Sequence, residues 1–535
     1  MFIDGCKIEK NTRINADVCI IGSGPAGLTI ASEFANQDFK VVVLESGGRK
    51  FRHPTQWLYI AKNVGRPYFD ITYVRHRMVG GSSYKWSGVC RPLDEIDFEK
   101  RDWLPNSGWP FGLGELSPYY DRACRYMQLP TSDFSTRGYL TAGQAEIQNE
   151  RIETKIYQHS PPTDFNLEFA DRIAAAPNVD IIYHANAVNI QADQSGHTIN
   201  FVQAATLTGR KFQIHAGIFV LACGGIENPR ILLASNNVHQ NGLGNQNDLV
   251  GRYFNEHVTL YSAALSAPQE DIFSGVYTPL DYEKTLPNLP PTATFSLRQE
   301  AMRAEQLLNA RAEIVWRPTY KFGSDYNSLS GYSFTRLAEI LSHNRFITDY
   351  TPRDFMNAAA NPARVFRILR QQLKQKSSPN YSIALRLMGE TVPNPDSRIT
   401  LSNRRDFLGM PRLQLDWRLT EQDRLSFFKY QKLLIAELRS LGFNIMEPKL
   451  ELDSSGWPYA IIPGKHHNGT TRMHVDPKQG VVDPDCKVHD ISNLYIGGSS
   501  VFPTSGSANP TFTITAMAIR LADHIKSKIN SVPNL

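Results

Sequence analysis

The sequence lacks the cysteine pattern of a disulfide-stapled or zinc-binding protein. Its six cysteines are scattered along 535 residues without a C-x-x-C pair, which argues against a disulfide framework and a thiolate zinc site. No run of about 18 apolar residues is present, so no segment is predicted to span a membrane. The first residues have neither the apolar core of a signal peptide nor a twin-arginine pair. We therefore expect a cytoplasmic protein with reduced thiols.

The sequence also lacks any block of like charge. Its formal net charge of +5 is spread along the chain, whereas a nucleic-acid-binding protein needs a concentrated basic face. No nucleic-acid partner is therefore expected. Hydrophobic residues make up 41% of the chain and charged residues 20%, as in ordinary globular proteins, and the length predicts more than one domain.

What the sequence does contain is a complete β-α-β unit near its start. Residues 17–22 form a short apolar run that is typical of a strand buried in a parallel sheet, and a glycine-rich turn follows at once. A stretch with helical spacing then leads to a second apolar strand. The candidate dinucleotide contacts of this unit are Gly22, Ser23, Gly24, Pro25, Ala26, Gly27, Glu45 and Ser46.

Each part of this unit suits a dinucleotide. Gly22 permits the tight turn, Gly24 lets a pyrophosphate approach the backbone, and Gly27 lets helix and strand pack closely. The free N–H groups at the start of the helix bind phosphate charge. Glu45 ends the second strand, where a carboxylate accepts hydrogen bonds from an adenosine ribose and repels the 2′-phosphate of NADP. The unit alone leaves FAD and NAD open.

Three further segments resemble the glucose–methanol–choline (GMC) oxidoreductase family, whose members hold FAD. The first, residues 75–87, is similar to the family's glycine-serine loop, which runs beside the flavin ring and the pyrophosphate. Two adjacent glycines and two hydroxyls let the main chain lie against a flat ligand while donating hydrogen bonds to it. The resemblance implies cofactor contacts from Arg77, Gly80, Gly81, Ser82, Ser83, Trp86 and Ser87.

The second segment, residues 219–233, is an apolar strand that enters a glycine pair and then a helix containing a proline. It is similar to a cofactor-binding segment of the family and contributes Gly224. Residues 180–220, upstream, are predicted to form short strands joined by turns. In the family a valine in this stretch contacts the adenine, and Val188 is the matching residue.

The third segment, residues 466–511, matches the family's H-x-x-G-T-x-R-M motif and the glycine, serine and proline motifs that follow it. A helix is predicted to close the chain after it. The resemblance implies further cofactor contacts from Gly498, Ser499, Pro510 and Thr511.

Alcohol oxidation needs a base near the hydroxyl, a polar group that holds the oxygen, and a hydride acceptor. A neutral histidine suits the first role, because its ordinary pKa lies near the operating pH. The resemblance places the base at His466; His467 points to the opposite face of an extended segment. Asn509 is the predicted partner that holds the substrate oxygen, although an asparagine before a proline is also a helix N-cap. Both interpretations of Asn509 stay open, and no metal ligand is predicted.

Two departures from the family pattern concern the cofactor. Some relatives attach FAD through a histidine just before the tryptophan of the glycine-serine loop, and Lys85 stands there in this chain. FAD is therefore expected to bind non-covalently. Many members carry an aspartate where this chain has Gly498, so the loop 497–500 is expected to contact FAD through its backbone and hydroxyls.

Because the cofactor motifs lie near the start, the middle and the end, the FAD-binding domain is predicted to be discontinuous. We expect an α/β fold, α+β overall, with a Rossmann-like FAD-binding domain on a parallel sheet and a substrate-binding domain on an antiparallel sheet. Residues 1–100, 170–258 and 455–535 are assigned to the former, 259–454 to the latter and 101–169 to a cap or linker. The alternating stretch PRLQLDWRL, residues 411–419, fits a strand of the antiparallel sheet, and residues 364–374 fit a basic amphipathic helix.

The combined motifs resemble the bacterial branch of the family that oxidises sugars, glycosides and aminosugars, including enzymes of aminoglycoside biosynthesis. The resemblance implies hydride transfer from a CH–OH group to flavin N5 with His466 as the base. The partners would be a small-molecule alcohol and an electron acceptor, either O₂ or a carrier; an oligomer is compatible with the sequence. Two alternatives stay open: a dehydrogenase that passes electrons to a partner protein, and a lyase that keeps FAD without redox chemistry.

Overall fold

Two eight-stranded sheets organise the computed structural model, which describes residues 1–141, 144–161, 163–266, 273–281, 289–342 and 351–531. The strand order of the first sheet is β1-β7-β3-β2-β10-β9-β8, with β19 beside the end of β10. Its strands are β1 (Phe2–Asp4), β2 (Arg13–Ile21), β3 (Val41–Leu44), β7 (Val179–Tyr183), β8 (Asn186–Ala192), β9 (Ile199–Ala205), β10 (Lys211–Leu221) and β19 (Leu494–Ile496).

The parallel part of this sheet contains the predicted β-α-β unit. Strands β1, β7, β3, β2, β10 and β19 run parallel, and helix α1 (Pro25–Phe34) connects β2 to β3. Residues 18–21 and 41–44 of β2 and β3 are buried, because helices cover the sheet and every side chain of these strands meets protein. The last helix, α13 (Pro510–Ser531), packs against α1. The predicted Rossmann-like layer is confirmed.

The second sheet is antiparallel throughout, as predicted, with the order β17-β11-β14-β13-β12-β6-β5 and β18 beside β11. Helix α12 (Glu421–Ser440) packs on this sheet, where the Tyr430 hydroxyl donates to the carbonyl of Ala310. The strands are β5 (Val89–Cys90), β6 (Ile152–His159), β11 (Val258–Ser266), β12 (Thr292–Leu297), β13 (Ala310–Pro318), β14 (Tyr381–Gly389), β17 (Asn444–Met446) and β18 (Ile462–Pro463).

The structure differs from the sequence prediction in which strands share this sheet. The stretch 411–419 forms β16 (Pro411–Asp416), which pairs instead with β15 (Arg398–Arg405) and β4 (Lys62–Asn63) in a separate three-stranded sheet. Strands β5 and β6 join the antiparallel sheet although both lie outside residues 259–454. Alternation predicts that one face of a strand is buried, but it does not identify the strand's neighbours. The division of the chain into domain segments stays a prediction.

The remaining helices lie between and around the sheets. The predicted basic helix is α11, in which Ile368 is buried while Phe366 and Leu373 are 67% and 66% exposed. No helix in the described ranges is both long and apolar enough to cross a membrane. The bounds of these helices are α2 (His53–Gln56), α3 (Ile71–Val74), α4 (Glu95–Phe98), α5 (Leu113–Tyr126), α6 (Asp171–Ala175), α7 (Gly224–Ala234), α8 (Gln299–Glu305), α9 (Leu329–Ser342), α10 (Thr351–Ala359) and α11 (Pro362–Ser377).

Candidate active site

A cavity of about 500 Å³ lies where the carboxyl ends of β2, β3 and β10 meet the amino ends of α1, α7 and α13. This edge of a parallel sheet is where open α/β folds bind ligands, since loops and helix starts converge there. The backbone N–H groups at the three helix starts favour negative charge. The cavity therefore has the position and the polarity of a dinucleotide site.

Most of the predicted site residues line this one cavity. They come from segments far apart in the chain, and the fold brings them together. The predicted residues on the cavity wall are Gly22, Ser23, Gly24, Pro25, Ala26, Glu45, Ser46, Arg77, Gly81, Ser82, Ser83, Trp86, Ser87, Gly224, His466, Gly498, Ser499, Asn509, Pro510 and Thr511.

Three predicted residues, Gly27, Gly80 and Val188, lie off the cavity wall. A Cβ on Gly27 would lie 1.9 Å from the carbonyl oxygen of Gly22, so this glycine serves the close packing of helix on strand. Gly80 has a left-handed φ of 85° and shapes a turn within the glycine-serine loop. Val188 lines a separate cavity of about 460 Å³, while its neighbour Ala187 lines the first, because successive strand residues point to opposite faces.

Glu45 is held at the ribose end of the predicted cofactor site. Its Oε2 accepts hydrogen bonds from the backbone N–H of Ser23 at 3.1 Å and from the Ser23 hydroxyl at 2.6 Å. Its Oε1 accepts from the Gly47 N–H at 2.7 Å and from the Ser46 hydroxyl at 3.2 Å. These bonds hold the carboxylate at the end of β3, on the wall of the cavity.

A cluster of buried charges forms one wall of the cavity. Arg75 and Arg77 lie over the ring of Tyr59, with guanidinium carbons 3.9 and 4.2 Å from its centre, and both pair with Glu227. Burial raises the pKa of the Glu227 carboxyl, but Arg230, Arg77 and Arg75 outweigh it and hold that pKa at about 2. Glu227 is therefore ionised.

This cluster still has hydrogen-bond donors to offer. The Nε and Nη1 of Arg75 and the Nε of Arg77 are buried and have no hydrogen-bond partner among the described residues. Nothing lies within 4 Å of a Cβ built on Gly24, so the backbone there is open to a ligand. Unsatisfied buried donors beside an open glycine turn fit the diphosphate and the polar ring edge of FAD.

His466 and Asn509 meet at this cavity. The Nε2 of His466 lies 3.3 Å from the Nδ2 of Asn509, and the Oδ1 of Asn509 accepts a hydrogen bond of 2.6 Å from Arg311. Asn509 does precede α13, which begins at Pro510, but these side-chain bonds point to His466 and Arg311. The Asn509 side chain thus bonds to Arg311 and His466 rather than to the start of α13, and its role toward a substrate oxygen stays a prediction.

A second layer of polar residues supports His466 from behind. Its Nδ1 lies 2.8 Å from the Nδ1 of His257, and the Oε1 of Glu256 accepts the backbone N–H groups of both histidines at 2.7 and 2.9 Å. Tyr68 donates to the other oxygen of Glu256, and its hydroxyl lies 2.9 Å from the Nε2 of His467. Burial raises the pKa of Glu256 to about 7, against the opposing hydrogen bonds.

Both histidines of the pair are neutral at ordinary pH. Burial lowers the pKa of His466 well below its usual value, and the nearby His257 and Arg311 lower it further. Burial and Arg311 also lower the pKa of His257, to about 3, although the backbone of Ser505 and Gly506 acts to raise it. A neutral His466 has a lone pair for a substrate proton.

Sequence reasoning identified His466 and Asn509 but missed the residues that hold them. Glu256 and His257 come just before β11, in a stretch where no periodicity marks them. Arg311 and Glu313 did leave a signal: two opposite charges at alternate positions among the apolar residues 310–316 of β13 predict an ion pair on one face of the strand. Their meeting with Asn509 required the three-dimensional fold.

The comparisons with known proteins agree with the predicted resemblance. Residues 393–518 match the family model described as GMC oxidoreductase, and residues 20–51 match that of an NAD(P)-binding Rossmann-like domain. The chain is 24% identical to a 2-methyl-1,2-propanediol dehydrogenase of Mycolicibacterium austroafricanum over 96% of each chain. It is 22% identical to a 6'''-hydroxyparomomycin C oxidase of Streptomyces lividus, over 96% of this chain and 92% of that one.

Among solved structures the fold resembles that of a formate oxidase. The two superpose with a TM-score of 0.59 and 15% sequence identity, covering 98% of this chain and 100% of the other. At this identity the likeness shows the shared fold alone. The predicted α/β architecture with its two sheets is confirmed.

Proposed function

We propose that this chain is an FAD-dependent enzyme of the GMC oxidoreductase type that oxidises a CH–OH group of a sugar or aminosugar. The observation that carries the proposal is the meeting of His466 and Asn509 on the wall of the dinucleotide cavity. A proton acceptor and an amide donor converge there, as alcohol oxidation requires.

The roles of the two residues follow from their hydrogen bonds. Asn509 offers its N–H to the substrate oxygen, because Arg311 occupies its carbonyl oxygen. His466 takes the hydroxyl proton on Nε2, the nitrogen that faces Asn509. As the O–H and C–H bonds break, a carbonyl forms, the proton goes to His466, and the electron pair leaves with the hydrogen as hydride.

FAD, when bound, supplies the acceptor for that hydride at its N5. The residues that would hold it are the turn at Gly24, Glu45 at the ribose, and Arg75 and Arg77 beside the glycine-serine loop. We propose that the attachment is non-covalent, since Lys85 stands where some relatives have a linking histidine.

The substrate class and the electron acceptor are the finer parts of the proposal. The similarity to a hydroxyparomomycin oxidase supports an aminosugar or sugar, and the similarity to a propanediol dehydrogenase supports alcohol oxidation in general. Either O₂ or a carrier protein would take the electrons afterwards. A redox-silent lyase would use the same histidine and is the competing function.

Anaerobic mixing of the purified yellow protein with sugars, aminosugars and simple alcohols tests this proposal. We expect loss of the flavin absorption band with at least one sugar or aminosugar. His466→Ala should keep FAD but lose the band more slowly, by about 10²-fold to 10⁴-fold, as removal of a general base predicts.

The other outcomes of that experiment are equally informative. A band that persists with every alcohol, together with aldehyde release from cyanohydrins, would replace the proposal with the lyase. Unchanged reduction of His466→Ala would show that the base is another residue. Admission of air then separates an oxidase, which regains its colour and forms peroxide, from a dehydrogenase.

A further inference from the structure

We propose that His257 is a positioning residue that fixes the tautomer of His466, keeping the proton of the His466 ring on Nδ1 and the lone pair on Nε2. The inference rests on the proposed role of His466 as the base. Its starting point is the 2.8 Å contact between the two Nδ1 atoms, together with the place of His257 behind His466. His466 lines the cavity, whereas His257 is fully buried and does not.

The contact between the two Nδ1 atoms requires that one of them carries a proton and the other a lone pair. A neutral imidazole carries one N–H and one lone pair, so two neutral rings whose nitrogens lie 2.8 Å apart must have one donor and one acceptor. Two arrangements satisfy this requirement. Either His466 donates from Nδ1 to His257, or His257 donates from Nδ1 to His466.

Asn509 and Arg311 decide between the two arrangements. A guanidinium has donors only, so the Asn509 atom 2.6 Å from Arg311 is the carbonyl oxygen, and the amide N–H₂ must face His466. A proton on Nε2 of His466 would then point at another donor 3.3 Å away. With the proton on Nδ1, the lone pair of Nε2 faces the Asn509 N–H. Only the first arrangement has no clash of donors.

The position of Arg311 is itself well defined. Its side chain is fully buried, it pairs with Glu313 at 2.9 Å, it donates to the carbonyl of Ser507, and it lies 4.3 Å from the centre of the Tyr157 ring. Glu313 is in turn paired with Arg386 at 2.7 Å. The orientation of the Asn509 amide is therefore imposed by a buried ion-pair chain.

The other side of His257 is consistent with the same assignment. If its Nδ1 accepts from His466, its own proton is on Nε2. The backbone of Ser505 and Gly506 acts to raise the pKa of this ring, which favours its N–H, although Nε2 itself makes no hydrogen bond of ordinary geometry among the described residues. Glu256 holds the backbones of the two histidines together, which fixes the distance between their rings.

This arrangement prepares His466 for one direction of proton transfer. A free neutral histidine exists as two tautomers, with the proton on either nitrogen. The tautomer with hydrogen on Nε2 cannot accept a substrate proton at that atom. With His257 as acceptor, the reactive nitrogen is available in every molecule. Once His466 has taken the substrate proton, its Nδ1–H still donates to the neutral His257.

Two substitutions of His257 test the inference. His257→Leu removes the acceptor, while His257→Asn keeps an oxygen acceptor at about the place of Nδ1. In the FAD-loaded enzyme we expect His257→Leu to slow anaerobic flavin reduction by about 10-fold to 100-fold, and His257→Asn to restore most of the rate. A packing role alone would give two equally slow variants.

Nitrogen NMR of the wild-type holoenzyme labelled with ¹⁵N-histidine provides a readout that does not depend on activity. The signals of His466 are identified by their loss in His466→Gln. We expect a protonated Nδ1 and an unprotonated Nε2 in the wild type, and both nitrogens partly protonated in His257→Leu. Protonation of Nε2 in the wild type overturns the inference, as does a normal reduction rate in His257→Leu.

These outcomes are separable from those of the proposed function. If His466→Ala reduces normally, the base is wrong, whatever the NMR spectrum shows. If His466→Ala is slow while His257→Leu has the wild-type rate and tautomer, His466 keeps its role and His257 loses the one assigned to it.

Discussion

His466, the proposed base, lies between two sets of polar neighbours. Its Nε2 faces the cavity and Asn509, and its Nδ1 faces His257. Burial and nearby positive charge keep the ring neutral. The same surroundings lower the proton affinity of His466 and keep a lone pair on its ring. The proposed base is therefore weaker than a free histidine, but it stays unprotonated to lower pH.

The pH dependence of flavin reduction follows from this lowered pKa. A base stays unprotonated until the pH falls to its own pKa, and that of His466 lies well below the ordinary value. We expect the anaerobic reduction rate at saturating substrate to stay constant as the pH falls from 8 to about 6, where an unperturbed histidine would be largely protonated. A loss of rate centred near pH 6.5 would contradict the buried, neutral His466.

Glu256 requires a control in this experiment, since its pKa of about 7 lies inside the same range. Glu256→Gln removes the titrating group while keeping an oxygen for the backbone N–H groups of His257 and His466. Any pH dependence that disappears in this variant belongs to the carboxyl, and any that persists belongs to another group.

At the scale of elements, the site depends on strands and helices that end at the same place. Strand β10 pairs with β9 over its first residues and with β19 over its last residues. The pairing with β19 places the C-terminal segment beside the end of β10, at the cavity. Helix α13 then starts beside His466. Buried ion pairs also join segments that lie far apart in the chain.

The ion pair between Arg101 and Glu390 joins the segment after α4 to the end of β14. Both side chains are fully buried, and Glu390 also accepts the backbone N–H of Asn309 at 2.7 Å. Arg101→Met would leave a buried carboxylate without its partner. We expect the free energy of unfolding, measured by denaturant titration, to fall by about 3–5 kcal/mol.

A matched pair of variants separates the charge effect from loss of packing. Arg101→Met combined with Glu390→Gln should recover part of the lost stability, because no uncompensated charge remains. The half-exposed pair Arg303–Glu99 is the surface control, and Arg303→Met should cost no more than about 1 kcal/mol. Equal losses of stability at the buried and the exposed sites would contradict the larger stabilising role of the Arg101–Glu390 pair.

At the scale of the whole molecule, the cofactor cavity is where distant parts of the chain meet. The wall combines residues from the first hundred positions, from the turn after β10 and from the C-terminal segment. A ligand that binds this cavity stabilises the native state, because the unfolded chain has no such site. FAD is thus predicted to act as part of the fold.

Removal of FAD tests both this stabilisation and the mode of attachment. Acid precipitation should release all of the yellow colour into the supernatant, since Lys85 offers no histidyl link at that site. The apoprotein should unfold at a lower temperature, and added FAD at about 100-fold its Kd should restore about 2.7 kcal/mol. Colour that stays in the pellet would show a covalent bond, and identical melting of both forms would contradict the stabilising role.

The sequence by itself determined the parts of this protein that depend on near neighbours. The glycine turn, the buried strands and the starts of the helices follow from local spacing, and the prediction of His466 and Asn509 follows from resemblance to the family's motif. Such features can be predicted from sequence because backbone geometry and side-chain periodicity depend on only a few neighbouring residues.

Only the tertiary structure decided which distant residues complete the site. His257 meets His466 across 209 positions, Arg311 meets Asn509 across 198, β16 pairs outside the expected sheet, and Val188 turns away from the cavity. The physical reason is that hydrogen-bond partners and strand neighbours are determined by the packing of the whole fold. Residues far apart in the sequence can therefore be neighbours, and no local pattern identifies them. The sequence thus pointed to His466 as the candidate base, and the fold supplied the residues that contact it.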